Sequence, residues 1–102
     1  MSDFQKIGNK NEIENGSMKT FTVNGKQIAI ANIDDQFFAI DDVCSHAECS
    51  LGEGFLDGNT VICPCHGSTF DVSNGKVLSL PATQNVGSYP VKVEGDDILV
   101  QV

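Results

Sequence analysis

The sequence has no tryptophan, no long apolar run and little positive charge. The missing tryptophan excludes nothing. The missing apolar run is more informative: a membrane helix needs about 20 consecutive apolar residues, and no stretch of the 102 residues comes near that, so no membrane anchor is expected. Six basic against fourteen acidic residues give a formal charge of −8. Such a surface repels phosphate backbones and anionic lipids, which removes nucleic acid from the expected partners. The acidity keeps a small protein soluble and could also steer it toward a basic docking face. The amino-terminal residues 1–8 lack a basic segment followed by an apolar one, so they do not read as a secretory signal, and a cytoplasmic location is expected. Disulfides are rare there, and gathered cysteines point to metal or redox chemistry. Internal repeats, low-complexity linkers and a long amphipathic helical pattern are also missing. Residues 11–15 allow at most one helical turn.

What is present fits one domain, 1–102. A chain of this size buries somewhat over ~60% of the surface its unfolded form exposes, and 40% hydrophobic with 20% charged residues is a globular composition. Apolar residues recur with a period of two in short runs separated by Gly, Asn and Asp, which is an all-β rhythm. Strands are predicted over 18–23, 26–32, 36–40, 60–62, 69–72, 76–79, 89–94 and 97–102. Asn24-Gly25 fits a type I′ hairpin turn, since both residues tolerate positive φ, and Ile28 and Ile30 should share a face. Ser73-Asn74-Gly75 marks a second hairpin. Pro90 cannot donate a ladder hydrogen bond and belongs at a strand start or edge. The alternation breaks between Asp41 and Ser68, where all four cysteines and both histidines lie.

Within that break the chain reads Cys44-Ser45-His46 and, after positions 47–62, Cys63-Pro64-Cys65-His66-Gly67. Each segment offers one thiolate and one imidazole, and two short loops held face to face would close on metal like a clasp. Two cysteines and two histidines would also satisfy a structural zinc ion. Familiar zinc sites pair like ligands, however, two cysteines and then two histidines, and here the types are mixed within each segment.

C-x-H followed at this distance by C-x-x-H resembles the signature of Rieske iron-sulfur proteins. The likeness continues through Ser50-Leu51-Gly52-Glu53-Gly54, Gly67-Ser68-Thr69-Phe70-Asp71, Gly75-Lys76-Val77-Leu78 and Pro81-Ala82, and weaker similarity covers nearly the whole chain. The resemblance implies an all-β Rieske iron-sulfur domain of three small antiparallel sheets. In it a cluster-binding subdomain, about residues 43–70, sits on a base made from both chain ends. It also implies one 2Fe-2S cluster per chain, with Cys44 and Cys63 on one iron and His46 and His66 on the other. Neutral imidazoles in place of two thiolates make such a cluster easier to reduce than an all-cysteine one.

By the same resemblance Cys49 and Cys65 match cysteines that, in the membrane-bound Rieske proteins of cytochrome bc complexes, form a disulfide tying the two cluster loops. The soluble ferredoxins that serve aromatic-ring oxygenases generally lack it. The chain is thus similar to a soluble ferredoxin with bc-type loop cysteines. A bridge between Cys49 and Cys65, shielded inside the clasp, is expected against the alternative of thiols packed as small hydrophobes. Ser68 matches a serine that donates a hydrogen bond to a bridging sulfide, although it could equally be a turn residue. Phe70 stands where bc-type proteins carry a tyrosine donor, and core packing explains it as well. Gly67 would let the backbone pass close to the cluster, and Pro64 would stiffen its loop. Pro81 and Ala82 match a segment that covers the cluster, or mark an ordinary strand break.

A cluster iron holding two sulfides and two protein ligands has no open position, so an electron-transfer protein rather than an enzyme is expected. A catalytic Rieske oxygenase needs a second, mononuclear iron site, for which no histidines remain. The reading that follows is a monomeric one-electron carrier between a reductase and a terminal acceptor such as a Rieske non-haem iron oxygenase. A redox-sensing module, or a small subunit of a larger reductase, is the alternative.

Overall fold

The computed structural model describes residues 4–44, 49–65, 67–80 and 82–101. Eleven strands occur among them: β1 (Phe4–Asn9), β2 (Ser17–Val23), β3 (Lys26–Ile33), β4 (Gln36–Asp41), β5 (Phe55–Asp57), β6 (Thr60–Ile62), β7 (Thr69–Asp71), β8 (Val77–Ser79), β9 (Ser88–Tyr89), β10 (Val91–Glu94) and β11 (Asp97–Gln101). Two single-turn 3-10 helices, Lys10–Glu12 and Leu51–Glu53, complete the described elements. The strands form three antiparallel sheets, ordered β1-β11-β10, β2-β3-β4-β9 and β5-β6-β7-β8. The first is built from both chain ends, as expected.

The turns behave as their residues dictate. Asn24 and Gly25 take φ of 53° and 79°, and β2 pairs with β3 in unbroken register from Ser17↔Asn32 to Val23↔Lys26. Asp34 and Asp35 also take positive φ, 52° and 66°, a region Asp enters more readily than most residues. Side-chain carbonyls hold that turn: Asn15 Oδ1 accepts from the Asp34 amide (2.7 Å) and Asn32 Oδ1 from the Asp35 amide (3.0 Å).

β3 separates two cores. Ile28 and Ile30 do share a face, packed with Ile98 and Val100, while Ala29 and Ala31 face Cys44, Leu51, Cys63 and Phe70. Burial on both faces explains why this strand reads as an almost continuous apolar run.

Two strands, β1 and β5, were not anticipated. Phe4–Asn9 mixes apolar and polar residues without clean alternation, and Phe55–Asp57 lies inside the stretch where the alternation is broken, with no turn signal of its own ahead of it as Asp57-Gly58-Asn59 stands ahead of Thr60–Ile62. The predicted strand at 89–94 divides at Pro90: Tyr89 pairs with Ala39 in the second sheet, whereas Val91 pairs with Val100 in the first. Proline supplies no amide to either ladder, so the chain changes sheets there. The helical turn falls at Lys10–Glu12 rather than 11–15, because Asn9 caps it and Glu12 reaches back to the Asn9 amide (2.7 Å).

Candidate metal centre

Two loops carry the cysteines. The first leaves the end of β4. Cys44 donates its amide to the Cys49 carbonyl (2.9 Å), Val43 bridges Ser50, and the Leu51 amide bonds the Asp42 carbonyl (2.6 Å). Leu51 is fully buried, so the 3-10 turn after the loop is nailed into the core. The second loop leaves β6. The Cys63 amide donates to the Ser68 carbonyl (2.8 Å) and the Gly67 amide to the Cys63 carbonyl (3.1 Å). Gly67 has φ of 76°, which a residue with a Cβ adopts only under strain.

A disulfide between Cys49 and Cys65, with Cα atoms 6.4 Å apart, ties the loops together. Cys44 and Cys63 remain thiols and are 3% and 1% exposed, within one buried cluster. The bridge forms as expected, but it is shielded at one end only: Cys49 packs partly buried against the core, whereas Cys65, at the turn of its loop, is exposed, as is its neighbour Pro64. His46 and His66 lie outside the described residues, as do Ser45 and Pro81. Among the described residues no three His, Cys, Asp or Glu side chains gather as a metal site.

Ser68 is fully buried, and its Oγ accepts from the Ala82 amide (3.0 Å). That bond fastens the segment after Pro81 to the second loop and occupies the hydroxyl as acceptor, which leaves its proton to donate elsewhere. Phe70 is fully buried against the same core.

Several polar residues near the loops were not picked out from the sequence. Asp42, 1% exposed, accepts on Oδ1 from Thr20 Oγ1 (2.8 Å), Ser50 Oγ (2.9 Å) and the Gly52 amide (2.9 Å). Its neighbour Asp41 accepts from the Tyr89 hydroxyl on one oxygen and from the Gly87 amide (2.8 Å) on the other. The Lys26 ammonium lies 5.0 Å from the Tyr89 ring centroid. Desolvation, and then the bond to Asp41, push the Tyr89 hydroxyl above its ordinary pKa, while the bond with Tyr89 raises that of Lys26. Nothing in the dipeptide Asp41-Asp42 distinguishes these fates beforehand.

Two buried thiols outside any disulfide, each at the root of a short loop, suit iron-sulfur chemistry, which uses thiolate ligands. Residues 3–90 match the family model of the Rieske [2Fe-2S] domain. The chain belongs to that family. As a Rieske domain it takes one 2Fe-2S cluster per chain, and the described cysteines fit that donor set. The ferredoxin component of a naphthalene 1,2-dioxygenase system from Pseudomonas aeruginosa is 37% identical over 91 residues, which is 89% of this chain and 88% of that protein. Among solved structures, the ferredoxin of carbazole 1,9a-dioxygenase from Nocardioides aromaticivorans IC177 superposes with a TM-score of 0.93 at 32% identity, covering 97% of both chains. A chain in a complex of reduced oxygenase and oxidised ferredoxin in carbazole 1,9a-dioxygenase gives 0.91 at 31% identity, over 99% of this chain and 94% of that one.

Proposed function

We propose that this Rieske protein is a one-electron carrier of an oxygenase system, taking electrons from a reductase and passing them to a terminal oxygenase component. Cys44 and Cys63 bind one iron of its cluster, and His46 and His66 bind the other. The observation that carries the ligand reading is the pair of buried thiols, 3% and 1% exposed, at the roots of two loops clasped by the Cys49–Cys65 disulfide. When bound, a cluster of this class takes up and releases one electron at roughly −150 to +300 mV.

The chain's own residues do the rest. The paired loops hold the two cysteines at a fixed spacing, Leu51 anchors the first loop, and Ser68 presents a hydroxyl whose acceptor side is already used by Ala82. Its proton donates to a cluster sulfur and favours the reduced, more negative state. Residues of about 43–70 act as the cluster-binding part of a single domain, 1–102, that works as a cytoplasmic monomer. The acidic surface supports a soluble carrier, and no described helix is long and apolar enough to cross a membrane.

Absorption and low-temperature EPR of the dithionite-reduced protein test this reading. A signal averaging below the free-electron g value is expected, and it should vanish when His46 and His66 are both replaced by alanine. Colourless protein with full zinc occupancy, or iron retained without both histidines, overturns it.

A further inference from the structure

Asp42 belongs to neither ligand pair, yet the structure gives it an unusual position. It is 1% exposed, and its Oδ1 collects the Thr20 hydroxyl, the Ser50 hydroxyl and the Gly52 amide within 2.8–2.9 Å. Its own amide donates to the Gln27 carbonyl (3.1 Å), and its carbonyl accepts from Leu51 (2.6 Å). These bonds draw together β2, β3 and both ends of the first cysteine loop. The packing leaves no slack: a Cβ on Gly52 would lie 2.1 Å from Thr20 Oγ1 and 2.9 Å from Asp42 Oδ1.

The donors described at Oδ1 are neutral, two hydroxyls and one amide. The sequence contains no lysine or arginine between Lys26 and Lys76. Asp42 stands two residues from Cys44, so a clamp at its carboxylate acts on the backbone that carries that thiol.

We infer that Asp42 is a positioning residue for the first cluster loop, clamping its two ends to the second sheet through the one acceptor oxygen that Thr20, Ser50 and Gly52 share. The inference rests on the reading of Cys44 as a cluster ligand.

The test compares holoprotein of Asp42→Asn, Thr20→Val and Cys44→Ala with the wild type. The readouts are iron and acid-labile sulfide content and the rate of iron loss to a chelator. Asp42→Asn keeps an acceptor oxygen, so the cluster is expected at full stoichiometry with iron leaving at close to the wild-type rate. Thr20→Val removes one of the donors, so iron should leave several-fold faster.

The wild-type rate of iron loss in Thr20→Val overturns the inference, and so does iron loss in Asp42→Asn as fast as in Thr20→Val, because the acceptor oxygen would then not be what holds the loop. If Asp42→Asn assembles no cluster, iron loss decides through Thr20→Val and Ser50→Ala: faster in both supports the clamp, and the wild-type rate in both overturns it. Cys44→Ala separates the two readings. A normal cluster in that variant defeats the ligand assignment itself. Loss of the cluster there, with the wild-type rate of iron loss in Thr20→Val and Ser50→Ala, defeats only the role of Asp42.

Discussion

Single side chains near the loops are distinguished by what their polar atoms have left to give. Ser68 is buried and accepts from Ala82, so its hydroxyl proton is what it has left to offer a cluster sulfur. Replacing it with alanine should lower the midpoint. If the bond favours the reduced state by about 1 kcal/mol, the shift for one electron is about 40 mV; a redox titration that finds no change excludes the bond. Ser68 was legible in the sequence only through its neighbours Gly67 and Thr69 in a familiar string. Its burial and its partner Ala82, fourteen positions away, come from the folding of the chain. Asp42 was not legible at all, because an acidic residue beside another acidic residue ordinarily reads as solvated surface, and only the convergence of three donors from distant positions marks it out.

At the scale of elements, the disulfide and the contact between β4 and β9 bear the load between parts that sequence periodicity treats separately. The Cys49–Cys65 bridge closes a separation of 16 residues, for which the chain-entropy model gives about 3 kcal/mol. Denaturant titration of the Cys49→Ser, Cys65→Ser double variant should show a loss of that order, with cluster colour bleaching at lower denaturant. With Cys65 an exposed residue, dithiol reductants should open the bridge in the folded protein, against the expectation of a shielded one.

Tyr89 and Asp41 join β9 to β4. The Tyr89 hydroxyl is held above its ordinary pKa in the fold, so the folded state retains that proton when the unfolded state has lost it. This contribution is therefore complete below about pH 10 and is lost as pH rises through the higher folded value; the raised Lys26 acts in the same sense. Thermal melts should lose stability above about pH 10 more steeply in the wild type than in Tyr89→Phe, and equal slopes would show that Tyr89 carries none of it. The strand at 89–94 was readable by alternation, but its division between two sheets was not. Pro90 signals only that a ladder bond is missing, and which sheets take the two halves depends on strands far away in the chain.

Over the whole molecule, charge is distributed unevenly. Lys6, Lys10, Lys19 and Lys92 pair with Asp97, Asp96, Glu12 and Glu94, all on the sheet of the chain ends or the elements beside it. Of the fourteen acidic residues, taking away these four leaves ten, spread from Asp3 to Asp71, against two remaining lysines; Glu48, Glu53, Asp57 and Asp71 of that set share the loop-bearing stretch 43–71 with no lysine or arginine. Exposed pairs like these add little stability, but they cancel the field at the base. Electron transfer to small oxidants should report this: the rate with a cationic cobalt complex should fall as ionic strength rises, and that with ferricyanide should rise. Equal salt dependence for the two would mean that electrons leave from a neutral face.

The sequence by itself determined the all-β class, most hairpin turns and the position of the two cysteine-bearing loops, because turn propensity, two-residue alternation and cysteine spacing are local properties of the chain. Only the tertiary structure decided that Cys65 is exposed while Cys44 and Cys63 are buried, where the chain passes from one sheet to another, and that Asp42 ties the first loop to β2. Those outcomes depend on groups that meet across tens of residues, where burial and hydrogen-bond geometry, rather than the identity of neighbours, select the partner.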